Sequence, residues 1–194
     1  MIKAIIFDCF GVLVGSGFKE TYRQAGGDPV KDGDFINDLL GMANLGVIST
    51  EEMNKQITEK IGITHEKWRV SVLESELLHK ELMTYIQELK KKYKVAILSN
   101  ANTGTLDRKF TPEQLAIFDA VVVSAEVGMI KPDPKIYEYT ANKLGLKPRE
   151  CVFIDDIKVY CEAARMVGMK AIFYNDFKQF QRELIKILTP DSNN

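Results

Sequence analysis

Five short, nearly continuous apolar runs constrain this chain more than any other feature. They cover residues 2–7, 95–98, 120–123, 151–154 and 170–174 and are rich in Val, Ile and Phe. Polar residues hardly interrupt them, the pattern of strands covered on both faces. Between the later runs the period changes to that of a helix. Leu82, Ile86 and Leu89 recur before the second run. Asp133-Pro134 reads as an N-cap with proline at the first helical position, followed by Ile136, Thr140 and Leu144 and stopped at Gly145. Val159, Ala163 and Val167 form another stripe that ends at Gly168. Strands alternating with helices predict an α/β fold: a doubly wound, parallel, five-stranded sheet with crossovers of one hand.

One stretch breaks that rhythm. Residues 15–79 contain no convincing strand, only helical stripes. Ile36, Leu39, Leu40 and Ala43 make the first. Ser49-Thr50-Glu51-Glu52 has the form of a capping box ahead of Met53, Ile57 and Ile61, and Trp68, Val72 and Leu73 suggest a further helix. The expected organisation is an α/β core, 1–14 and 80–194, with a helical insertion at 15–79. No repeat interrupts it, and the polar tail from Thr189 is expected to fray.

Charge and cysteine content narrow the partners. Lys plus Arg number 26 against 27 Asp plus Glu, a balance that points away from nucleic acid and membrane surfaces and toward a small molecule. Lys90-Lys91-Lys92 closes a helix, where cations suit the negative end better than they suggest a binding patch. Cys9, Cys151 and Cys161 lack disulfide or metal spacing, as expected of reduced cytoplasmic thiols. The opening apolar run stops at Asp8 without a cleavage site, and no window is long enough to span a bilayer. Monomer and homodimer fit the pattern equally.

In such a sheet, ligands bind outside the carboxyl ends of the strands. Asp8 follows the first run, Ser99-Asn100 the second, and Asp155-Asp156 the fourth, while Lys131 lies in the loop beyond the third. Three carboxylates crowded on one rim repel unless a cation sits among them. Magnesium suits such a site, since it takes one or two carboxylates, waters and phosphate oxygens. An aspartate there can also attack phosphorus, splitting one hydrolysis into two easier steps.

These segments resemble the haloacid dehalogenase-like hydrolases over nearly the whole chain. The segments are Ile6-Phe7-Asp8-Cys9-Phe10-Gly11-Val12-Leu13, Leu98-Ser99-Asn100, Gly128-Met129-Ile130-Lys131-Pro132-Asp133-Pro134, and Phe153-Ile154-Asp155-Asp156 with Glu162-Ala163-Ala164 behind it. Four such segments in order, each at a strand end, form a specific signal where Leu-Ser-Asn alone would not. The resemblance implies a magnesium-dependent phosphatase of small phosphate monoesters. Asp8 would be nucleophile and metal ligand. The Phe10 carbonyl and Asp156 would complete the ligands, with Asp155 beside them. Ser99 and the backbone at Asn100 would hold the phosphoryl group, and Lys131 would neutralise charge on nucleophile and phosphate. The insertion would be the family's cap, which selects substrates.

Simpler roles compete. A turn cap is the simpler role for Asp8, but a carboxylate closing an apolar strand costs energy unless compensated. Ser99 could be a turn residue, Lys131 a solvated loop charge, and Asp155 or Asp156 a helix cap. Strand alternation turns Cys9 away from Asp8. His65 and His79 lack ligand spacing and read as surface or packing residues, and Arg23, Trp68 and Arg69 as core or solvated.

Two positions depart from the family pattern. Most phosphatases of the family carry an acid-base aspartate two residues after the nucleophile, where this chain, like some other members, lacks it and has Phe10. Tyr160 stands where Asp or Asn is common. An aromatic at position 10 and Tyr137 also suit 2-haloacid dehalogenases, which need no metal, but Asp155 and Asp156 do not. A weakly active binding or regulatory protein is the third reading.

Overall fold

The computed structural model describes residues 1–15 and 18–189, so the tail from residue 190 lies outside the described residues. Each apolar run forms a strand: β1 (Ala4–Phe7), β2 (Lys94–Ser99), β3 (Ala120–Val123), β4 (Cys151–Asp155) and β5 (Lys170–Phe173). All pairings are parallel, in the order β3-β2-β1-β4-β5. Between β1 and β2 lie α1 (Phe18–Gln24), α2 (Gly33–Asn44), α3 (Thr50–Ile61), α4 (His65–Ser75) and α5 (Lys80–Lys90). A short α6 (Pro112–Leu115) precedes β3, and α7 (Ser124–Val127) and α8 (Pro134–Lys143) follow it. Helix α9 (Lys158–Met166) joins β4 to β5, and α10 (Phe177–Leu188) follows β5.

Alternation along the strands explains why they are apolar throughout. Ile5, Phe7, Val95, Ile97, Val152 and Ile154 face one side, where Leu82 and Ile86 of α5 and Phe180 and Leu184 of α10 cover them. Ala4, Ile6, Ala96, Leu98 and Phe153 face the other, under Ile136 and Tyr137 of α8 and Ala164 of α9. Burying each large side chain stabilises the fold by about 1.5–3 kcal/mol, so neither face tolerates polar residues.

Helices α1 to α4 pack on one another around Tyr22, Ile36, Leu39, Ile57 and Trp68, a cluster separate from the two faces of the sheet. The chain leaves and re-enters the core at one place. Val14 bridges antiparallel to Leu78, Gly15 N–H donates to Leu77 O at 2.8 Å, and His79 N–H donates to Leu13 O at 2.8 Å.

Local signals are met with two corrections. Asp133 caps α8 by accepting from Lys135 N at 2.9 Å. Ser49 accepts from Glu52 N at 3.1 Å, but the Glu52 carboxylate takes the Gln56 amide instead, so only half of the expected box forms. The inward line of α9 runs through Cys161, Ala163 and Ala164, which leaves Val159 on the solvent side. Among the described residues, no helix is long and apolar enough to cross a membrane.

Candidate active site

Strands β2 and β4 flank β1, and the connections from this centre run in opposite directions. That switch point leaves a crevice at the carboxyl end of β1. Phe7 pairs with Ile97 on one side and Ile154 on the other, so the next residue, Asp8, emerges beside Asp155 and close to Ser99. Asp8 N–H donates to Ile154 O at 2.8 Å, which extends the ladder to the nucleophile candidate itself.

Lys131 reaches into this crevice. Its Nζ lies 2.7 Å from Asp8 Oδ1 and 2.7 Å from Asp155 Oδ2, and all three side chains are buried. A charged group so placed needs its partners, because each unpaired member would carry a large desolvation cost. The second Asp155 oxygen accepts from Ile157 N at 2.8 Å, so this carboxylate is fully engaged. Asp156 is less completely engaged. Its Oδ1 is buried without a hydrogen bond among the described residues.

Asp8, Asp155 and Asp156 each offer an oxygen within 4.8 Å of the others. One ammonium against three carboxylates leaves an excess of negative charge that a hard divalent cation would match. Burial drives the Asp8 carboxyl up to about 7, with Asp155 adding to the shift and Lys131 opposing it. Burial and Asp155 also raise Asp156. Burial alone would lower the Lys131 ammonium, but Asp8 and Asp155 outweigh it and hold the charge on. The unpartnered oxygen and the charge excess fit a bound metal. A cavity of about 430 Å³, lined by Gly11, Val14, Leu77, His79 and Tyr174, opens on Asp156.

The remaining candidates fall into three groups. Ser99 is fully buried at the end of β2 with its hydroxyl unpartnered among the described residues, as a ligand-binding hydroxyl would be. Asn100 has a role that sequence reasoning missed: its side chain clamps the Lys131 backbone. Asn100 Oδ1 accepts from Lys131 N at 2.8 Å, and Nδ2 donates to Lys131 O at 3.0 Å. Phe10 packs half-buried against the core and carries no group that could move a proton.

Aromatic rings complete the lysine's surroundings. The Lys131 ammonium sits 4.9 Å from the Tyr160 ring centre and 5.3 Å from that of Phe153. Tyr160 hydroxyl also accepts from Asn100 Nδ2 at 3.3 Å, and Tyr137 donates to Tyr160 O at 3.0 Å. No sequence signal beyond its departure from the family pattern marked Tyr160.

Cys9 is fully buried, and burial, reinforced by Asp8, pushes its thiol well up, which removes it as a nucleophile. His79 caps α5 by accepting from Leu82 N at 3.1 Å. Trp68 lies in the core of the insertion, its indole N–H on Asn54 Oδ1 at 2.9 Å, while Arg23 and Arg69 pair on its surface with Glu20 and Glu66.

Known proteins resemble this chain in sequence and fold. Rat bifunctional epoxide hydrolase 2 is 43% identical over 70 residues, which are 36% of this chain and only 13% of that protein. A D-ribitol-5-phosphate phosphatase of Bacteroides thetaiotaomicron is 25% identical over 207 residues, 97% of this chain and 99% of its own. Among solved structures, a predicted hydrolase of this type from Porphyromonas gingivalis superposes with a TM-score of 0.78 at 26% identity, covering 98% of this chain and 100% of that one. A B. thetaiotaomicron enzyme in complex with magnesium and inorganic phosphate shares the fold, with a TM-score of 0.73 at 22% identity, over 93% of this chain and 99% of that one. The family model of haloacid dehalogenase-like hydrolases matches residues 2–168, and the chain belongs to that family.

Proposed function

We propose that this hydrolase cleaves small phosphate monoesters with magnesium, through an aspartyl-phosphate on Asp8. The observation that carries the reading is the buried triad of Asp8, Lys131 and Asp155, with the unpartnered Asp156 oxygen beside it. Asp8, the Phe10 carbonyl and Asp156 would hold the ion, with Asp155 alongside. Bound there, magnesium would draw charge from the phosphoryl oxygens and orient the group.

The chain's own residues do the rest. Lys131 ties up Asp8 Oδ1, which leaves Oδ2 to attack phosphorus as the ester oxygen departs. Ser99 and the Asn100 backbone hold the phosphoryl oxygens, while Lys131 offsets the charge that gathers there. Water then attacks the aspartyl-phosphate, which releases phosphate and restores the Asp8 carboxylate. Phe10 cannot protonate the leaving oxygen, so that proton comes from solvent. Loss of such a group typically slows turnover by about a hundredfold to ten-thousandfold, least for good leaving groups. Helices α1 to α4 serve as the cap that selects the ester, and three buried free thiols fit a reducing cytoplasm.

A metal-independent dehalogenase is disfavoured, because Asp156 would confront a halocarboxylate with uncompensated charge. Assay of p-nitrophenyl phosphate with and without EDTA, beside 2-chloropropionate, separates the two. Phosphate release that EDTA stops is expected, and Asp8→Asn should lower it at least a thousandfold in a folded protein. Chloride release indifferent to EDTA, or an active Asp8→Asn, overturns the reading.

A further inference from the structure

The loop joining α2 to α3 rests on the turn that follows Ser99 and Asn100. Ser124, fully buried at the start of α7, stands between them. Its hydroxyl donates to Asn44 O at 2.5 Å and accepts from Ala101 N at 3.0 Å. Ala101 O is held in turn by Ala125 N at 3.3 Å. Next along the turn, Asn102 Nδ2 donates to Ile48 O at 2.7 Å while its Oδ1 accepts from Thr103 N at 2.8 Å. Between these two anchors Gly46 has a φ of +74°, and a Cβ there would lie 3.3 Å from the Ala125 Cβ. The fit therefore depends on glycine at the closest approach.

Two side chains of the core thus hold two carbonyls of the insertion, and both act on the residues directly after the candidate phosphate site. We propose that Ser124 and Asn102 are positioning residues that couple docking of the insertion to the shape of the Ser99-Asn100-Ala101 turn. Neither touches substrate. The proposal rests on the phosphatase reading for its ligand. A phosphoryl group held at Ser99 and the Asn100 backbone fixes the turn, and the fixed turn presents Ala101 and Asn102 to residues 44–48. By reciprocity, a docked insertion favours phosphate binding by the same factor. Removing the Ser124 hydroxyl orphans the partly buried Asn44 carbonyl and the buried Ala101 N–H, a loss of about tenfold in the coupled binding step.

Amide hydrogen exchange tests this on the full chain, with inorganic phosphate and magnesium as the probe. In the wild type, phosphate should slow exchange of residues 44–50 by about tenfold. Asn102→Asp keeps the bond to Thr103 but turns the Ile48 donor into an acceptor. It should abolish that protection and raise KM for p-nitrophenyl phosphate about tenfold, with kcat within about twofold. Ser124→Ala should do the same, and Asn102→Asp stands alone if that buried change prevents folding. Protection that phosphate leaves unchanged, or that is equal in wild type and Asn102→Asp, overturns the coupling. Protection present without turnover would instead sink the phosphatase reading while sparing the coupling.

Discussion

At Gly11 the backbone after β1 passes so close to Asp156 that no side chain fits. The residue has a φ of +89°, and a Cβ would lie 2.2 Å from Asp156 Oδ2. Gly11→Ala therefore meets both strain and collision. It should cost about 1–3 kcal/mol in stability and push Asp156 away from Asp8. Calorimetric titration of the variant with magnesium should show at least tenfold weaker binding than wild type. Equal affinity would mean that Asp156 does not hold the ion. The charged members of the site were legible in the sequence because strand ends stand out. Asp8, Asp155 and Asp156 each break an apolar run abruptly, and the Lys-Pro-Asp-Pro context marked Lys131. The Asn100 clamp and the Tyr160 ring were not legible. A side chain that grips a backbone 31 residues away, or a ring under an ammonium, leaves no periodic trace. Both depend on distances that only tertiary packing sets.

Elements were read best where covering was complete. The strands of the sheet showed as unbroken apolar runs because helices lie on both faces, whereas single positions at helix margins misled. Val159 matched a stripe by spacing yet faces solvent, since a short helix can rotate by a residue without losing its pattern. The lysines that end α5 and open β2 also find local work at the amino edge of the sheet. Lys90 donates to Ile117 O, and Lys94 donates to Leu144 O at 2.7 Å. At that same edge Lys3 pairs with Glu150 at 2.6 Å. Lys3, helped by the Lys147 N–H, holds the Glu150 carboxyl down at about 2. A depressed acid stabilises the fold above its unfolded value and loses that contribution as pH falls toward 2. Glu150→Gln should therefore lower the melting temperature slightly at pH 7 and not at all near pH 2. Because Lys3 is exposed and Glu150 only partly buried, added salt should shrink even the neutral-pH effect. A difference that grows in acid would contradict the assignment.

For the whole molecule, the proposed ion among the crowded carboxylates would make stability depend on metal concentration. Magnesium at a hundredfold excess over its Kd should stabilise the protein by about 2.7 kcal/mol, or several degrees in Tm, and EDTA should reverse it. Asp156→Asn should abolish that rise while making the metal-free protein more stable, because one repelling charge is gone. A metal-induced rise that survives in Asp156→Asn would place the ion elsewhere. The antiparallel clasp of Val14 with Leu78 has a broader consequence. Since both ends of the α1–α4 segment emerge from one pair of hydrogen-bonded neighbours, the path from β1 to α5 is closed without the intervening helices. Insertions or deletions within that segment thus leave the strand order and the pairing of β1 with its neighbours untouched.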